Sequence, residues 1–168
     1  MKVRKPQMTN KIKRIDSSAD PYLFSEDMNG EAVCKKCKAV FHNKRWSIDE
    51  DLYKSKINDK NVKSIHCPAC KKVRDNFPGG ILKLKGQFLH EHKHEILNLI
   101  RNEEQKAMGF NPLERVMDVI TTTKGVEITT TNEKLAQRIG KSIQKAYQGK
   151  VAYRWSDDTK LLRAEWER

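Results

Sequence analysis

Two Cys-x2-Cys pairs, Cys34 with Cys37 and Cys67 with Cys70, are the residues of this chain best placed to do chemistry, and 29 residues separate them. Two such knuckles meeting in space make one tetrahedral thiolate site. Each turn lets two sulfurs reach a single ion about 2.3 Å away while backbone N–H groups donate to them. Four thiolates leave no open coordination position, so one zinc ion held there is structural rather than catalytic. The same four cysteines could also ligate iron. Cys67-Pro68-Ala69-Cys70 has the form of a redox dithiol as well, with His66, Lys71 and Lys72 near enough to lower a thiol pKa. That chemistry needs a strand entering the motif and a long amphipathic helix leaving it, and Phe77-Pro78-Gly79-Gly80 stops any helix early.

Other candidate ligands are weaker. His42 and His66 lie near the pairs, but four thiols already complete a shell, so both read as surface or loop histidines within reach of phosphate. In His90-Glu91-His92-Lys93-His94-Glu95, His90 and His94 share a helical face one turn apart, as metal-binding pairs do. The zinc-protease spacing His-Glu-x-x-His is read as absent and no third ligand is suggested nearby, so a solvated charged face is preferred to a His-dependent metallohydrolase. There is no nucleophile elbow, phosphate-binding Gly loop or carboxylate cluster. The expectation is a protein without enzymatic activity or a small-molecule substrate.

Charge supplies the functional direction. Lys and Arg number 34 against 22 Asp and Glu, a net charge of +12 and a pI near 9.6. Such a balance points to a polyanionic partner, nucleic acid first and an acidic membrane surface second. From Cys34 to Asp75 there are twelve Lys or Arg and five Asp or Glu, so the excess gathers around the cysteines. Lys35, Lys36, Lys38, Lys44, Arg45, Lys71, Lys72 and Arg74 are the candidate phosphate contacts. Trp46 could offer a base-stacking platform, but beside a zinc knuckle the preferred role is to roof a small core. The basic start runs on without an apolar h-region, and no run approaches the roughly 20 apolar residues of a membrane span. No membrane partner is expected, and a cytoplasmic location follows. In that reducing compartment paired thiols read first as metal ligands.

These residues need elements to position them. With 37% apolar content and 7% aromatics the chain favours modest modules over one large core. Residues 1–24, with six Lys or Arg and two Asp, read as a disordered basic tail. Residues 25–80 make the zinc ribbon. Residues 81–110 give a strand, in which apolar and basic residues alternate, and a connecting helix over 87–108 carrying Phe88, Leu89, Ile96, Leu97, Leu99 and Ile100, with Gly109 and Pro112 as its stop. In 111–168, strands at 115–122 and 126–130 are joined at Lys124-Gly125. Thr130 and Glu133 resemble a capping box for a helix bearing Leu135, Ile139, Ile143 and Tyr147. A hairpin around Asp157-Asp158 completes a ββαββ unit in which Val151, Tyr153, Trp155, Leu162, Ala164 and Trp166 face the helix. The fold class is therefore α+β: a small four-cysteine zinc ribbon, a connecting helix and a C-terminal ββαββ unit. The open face of that unit carries threonines and arginines rather than aromatics, which argues against base stacking there.

The order of "CKKC", Arg45-Trp46, "CPAC" and the segments "HKHEILNLIRNEE", "ITTTNEKLAQRIG" and "AYQGK" resembles a known arrangement. It is similar to the amino-terminal zinc-ribbon region of the large-ribosomal-subunit export adaptor named after nonsense-mediated decay, and to short bacterial zinc-ribbon relatives of it. The likeness runs from about residue 31 to the end. It implies attachment to the large ribosomal subunit through ribosomal RNA, in assembly, quality control or storage. The chain has two cysteine pairs where the adaptor has more, and it ends before the adaptor's further β-rich domains, so nuclear export is not carried over. A DNA-associated zinc-ribbon regulator is the alternative reading.

Overall fold

A computed structural model describes Tyr22, residues 30–156 and residues 160–168. Apart from Tyr22, the basic tail expected over 1–24 lies outside the described residues, as does the Asp157-Asp158 turn. The described residues form four helices and two sheets, an α+β fold.

The smaller sheet holds the cysteines. Strands β1 (Ala32–Cys34), β2 (Val40–His42), β3 (Arg45–Ser47) and β4 (Lys63–Ile65) lie in the order β3-β2-β1-β4. The β2–β3 turn is Asn43-Lys44, both at positive φ of 50° and 62°, the backbone that a two-residue hairpin matching strand twist requires. This register sets Phe41 opposite Trp46, with ring centroids 5.5 Å apart. Helix α1 (Glu50–Lys56) follows, capped by the Asp49 carboxylate, which accepts from the Leu52 N–H at 2.9 Å. It carries the chain across so that β4 can pair parallel to β1, with Cys34 beside Ile65. Helix α2 (Pro68–Arg74) opens with Pro68 where a missing N–H costs nothing. The core is small: Ala32, Ala39, Trp46, Ala69 and the cysteines, with Trp46 only 7% exposed, the roofing role its position suggests.

The larger sheet has the order β6-β7-β5-β9-β8, from β5 (Gly80–Lys85), β6 (Val116–Thr122), β7 (Gly125–Thr130), β8 (Lys150–Trp155) and β9 (Leu162–Glu167). Helices α3 (Gln87–Phe110) and α4 (Glu133–Tyr147) supply its second layer. Leu82, Leu84, Val126, Ile128, Ala164 and Trp166 from the strands meet Leu89, Ile96, Ile100, Leu135, Ile139 and Ile143 from the helices. The ββαββ unit read from the sequence is thus completed from outside itself. Strand β5 stands between its two hairpins, antiparallel to β7 and parallel to β9. Gly80 makes this possible, since a Cβ there would sit 2.5 Å from Ala136 Cβ and 2.6 Å from Thr130 Oγ1.

Two local expectations need correction. Asn132, not Thr130, caps α4, accepting from the Leu135 N–H at 3.0 Å. Thr130 is committed to β7, and its hydroxyl donates to Asn132 O at 2.7 Å. Strand alternation puts Trp155 against the helix with Tyr153, yet it is 52% exposed because it ends the edge strand β8. No helix among the described residues is long and apolar enough to cross a membrane.

The two sheets are tied together at one corner. Lys72 Nζ, on α2, donates to Thr131 O, just after β7, at 3.2 Å. Thr131, 2% exposed, donates its hydroxyl to Leu113 O at 2.6 Å and accepts from the Arg115 N–H at 2.9 Å. Leu113 in turn packs against the cysteine core.

Candidate metal centre

The four cysteines converge. Cys34 ends β1, Cys37 follows in the turn, Cys67 caps α2 and Cys70 lies in its first turn. Their sulfurs all lie within 4.8 Å of one another, and Cys34, Cys67 and Cys70 are buried. The first knuckle is closed by Cys34 N donating to Ala39 O at 2.8 Å and Lys38 N donating to Cys34 O at 3.1 Å, with Lys38 at φ 62°. Backbone N–H groups point at the sulfurs: Cys67 N to Cys34 Sγ at 3.3 Å and Cys70 N to Cys67 Sγ at 3.4 Å. Such donors hold thiolate charge and fix ligand orientation. Cys37 Sγ and Cys67 Sγ are 3.6 Å apart, close to the roughly 3.8 Å separation of sulfurs on a tetrahedron about 2.3 Å in radius. The residues present therefore fit a metal ion.

Electrostatics agree with that fit. A hydrogen bond from Cys67 and, behind it, one from Arg115 outweigh burial and lower the Cys37 thiol to about 4. Cys67 is pushed up by the same bond and by burial, while burial and the neighbouring thiolates raise Cys70 to about 11. One thiolate is thus at home among these sulfurs without a cation, whereas four require one. The buried position also weighs against a redox dithiol, whose attacking sulfur must be reachable.

Arg115 is the residue sequence reasoning missed. Thr131 holds its backbone, Pro112 O accepts from its Nε at 2.6 Å, and its Nη1 donates to Cys70 Sγ at 3.5 Å. Burial works against the charge, but the bond to Cys37 and the surrounding thiolates raise its pKa. Its cation comes from the larger sheet's side of the corner, 45 residues from Cys70. No local spacing could have signalled it.

The candidate phosphate contacts divide into three groups. Lys35, Lys36, Lys38, Lys44 and Arg45 are exposed and form no ion pair among the described residues. Lys71 and Lys72 are half-buried on α2, where Lys72 also lies 5.7 Å from the Tyr22 ring centroid. Arg74 is paired with Asp75 at 2.7 Å. His42 joins Glu31, which Lys56 also holds at 2.6 Å, so it braces the ribbon. His66 is half-buried just before the second pair.

His90-Glu91-His92-Lys93-His94 does match the order His-Glu-x-x-His letter for letter. That motif works on an unbroken helix, and here His92 has φ −114° and ψ 20°, a kink between the two histidines. Both are exposed, and among the described residues the cysteines are the only His, Cys, Asp or Glu group of three or more placed to share an ion.

Comparison with protein-family models and with curated proteins finds no match. The chemistry of the site therefore rests on its own geometry.

Proposed function

We propose that this protein is a noncatalytic RNA-binding module in which one zinc ion, held by Cys34, Cys37, Cys67 and Cys70, stiffens a cationic surface. Zinc suits a closed, buried set of four thiolates from two knuckles. The cysteine core is too small to hold the ribbon alone, and metal affinity on the order of 10 kcal/mol would stand in for missing apolar burial.

The observation that carries the RNA reading is the set of five exposed cations without carboxylate partners, among the described residues, on this scaffold. Elsewhere on the ribbon Glu50 pairs with Lys54 and Asp75 with Arg74. Lys38 and Lys44 also occupy left-handed backbone, where glycine or asparagine is the easier choice. A lysine at such a position supports a role for its charge. Lys35, Lys36, Lys38, Lys44 and Arg45 are assigned as the main phosphate contacts, with Lys71, Lys72 and Arg74 at the margin. Ribosomal RNA of the large subunit is the partner that the likeness in cysteine order suggests.

Sedimentation of the zinc-loaded chain with isolated ribosomal subunits over a salt series tests this. Binding to the large subunit that falls steeply with salt supports the reading. Binding indifferent to salt, or unchanged when Lys35, Lys36, Lys44 and Arg45 are all replaced by Glu, overturns it. Tighter binding to duplex DNA than to RNA would move the protein to DNA.

A further inference from the structure

Phe110, the last residue of α3, is 91% exposed, the most exposed large apolar side chain among the described residues. It does not stand alone. Two clefts of about 550 and 470 Å³ meet at this ring, and both are walled by Arg45, Trp46 and Phe110. The larger adds Lys44, Lys72 and Phe41, while the smaller adds Ile48 and Met108. Among the described residues neither has an Asp or Glu in its wall, although the chain carries 22 of them. The clefts run where the ribbon meets the end of α3, so their walls come from both halves of the molecule.

We infer that this cleft pair seats an unpaired stretch of RNA, with a base stacked on Phe110 and the flanking phosphates on Lys44 and Arg45. This rests on the RNA-binding reading above and gives it a substrate form. A single strand combines what the walls ask for, since its phosphates are anionic and its base faces are apolar and planar. A duplex supplies phosphates alone, because its base faces are hidden in the stack. Folded RNA exposes unpaired bases in loops and bulges, whereas duplex DNA does not. An acidic peptide would match the cations but offers no planar face for Phe110. Trp46 does not compete for the stacking role, because its ring is committed to the ribbon core. From sequence, Phe110 reads only as one more apolar residue near a helix end.

The test uses the full zinc-loaded chain and a fluorescein-labelled RNA of about ten nucleotides, free or annealed to its complement, read by anisotropy. F110A is expected to weaken single-strand binding about 5- to 150-fold and to leave duplex binding unchanged. F110W is expected to restore it. Phe110 is exposed, so neither variant disturbs the fold, and an unchanged far-UV spectrum checks this. Single-strand affinity unaltered by F110A, or an equal loss on both probes, overturns the seat. If K44A/R45A still weakens RNA binding in that case, the cationic-surface reading stands without it. If neither RNA form binds, both fall. A single-stranded DNA of the same sequence that binds more tightly than the RNA overturns the RNA assignment.

Discussion

Arg115 Nη1 donates to Cys70 Sγ at 3.5 Å, linking the larger sheet's corner to the sulfur cluster. A zinc ion with four thiolates carries a net charge of about −2, and a guanidinium beside it offsets half of that in a poorly solvated place. Removing such a supporting partner lowers metal affinity about 10- to 100-fold. R115Q, which keeps much of the volume, is expected to show that loss in a competition titration against a zinc chelator. R115K keeps the charge but loses the fork, so an intermediate value is expected. Zinc affinity equal to wild type in R115Q would remove Arg115 from the site.

The larger core depends on α4. Ile139 is fully buried among strand and helix side chains, and truncating it leaves a cavity. I139A is expected to cost about 2–5 kcal/mol in denaturant unfolding. Zinc stoichiometry, which the ribbon sets, is expected to stay at its wild-type value in the folded fraction. Loss of zinc from natively folded I139A would show that the two cores are not separable in this way.

The Glu165 carboxyl is held below its ordinary value of 4.5, chiefly by its hydrogen bond from Lys85, on the open face of the larger sheet. A lowered folded-state pKa contributes stability above the unfolded value, and that contribution is lost as pH falls through the folded one. The pair is about half exposed, so its contribution is roughly 0.5 kcal/mol or less. E165Q is therefore expected to unfold slightly more easily than wild type at neutral pH, with the gap closing below about pH 4. A gap that widens on acidification would contradict the sign.

Each phosphate contact on a single strand contributes about 0.7 to the slope of log affinity against log salt. Neutralising two contacts in K44Q/R45Q is expected to flatten that slope by about 1.4. An unchanged slope would place the phosphates elsewhere.

Much of this was legible because it is periodic or spaced. The cysteine pairs gave the knuckles, and Leu135, Ile139 and Ile143 gave the buried stripe of α4. What escaped was set by contacts between distant segments. Nothing near Gly80–Lys85 says that this strand will divide the two hairpins, since parallel pairing with β9 joins residues about 80 positions apart. Thr130 and Asn132 compete for one cap, and the demand of β7 on Thr130 decides it. Trp155 obeys the alternation of its strand yet stays exposed, because alternation gives the face and not the distance from the sheet's edge. Arg115 and Phe110 become candidates only when the end of α3 and the following loop meet the ribbon.

The most direct measurement is RNA affinity as a function of metal content in the full chain: loaded with zinc, stripped by a chelator, and reloaded. One zinc per chain is expected, with a ribbon that loses amide protection when stripped, RNA binding lost with it, and both restored by zinc. A metal-free protein with its ribbon intact and its RNA affinity unchanged would contradict it.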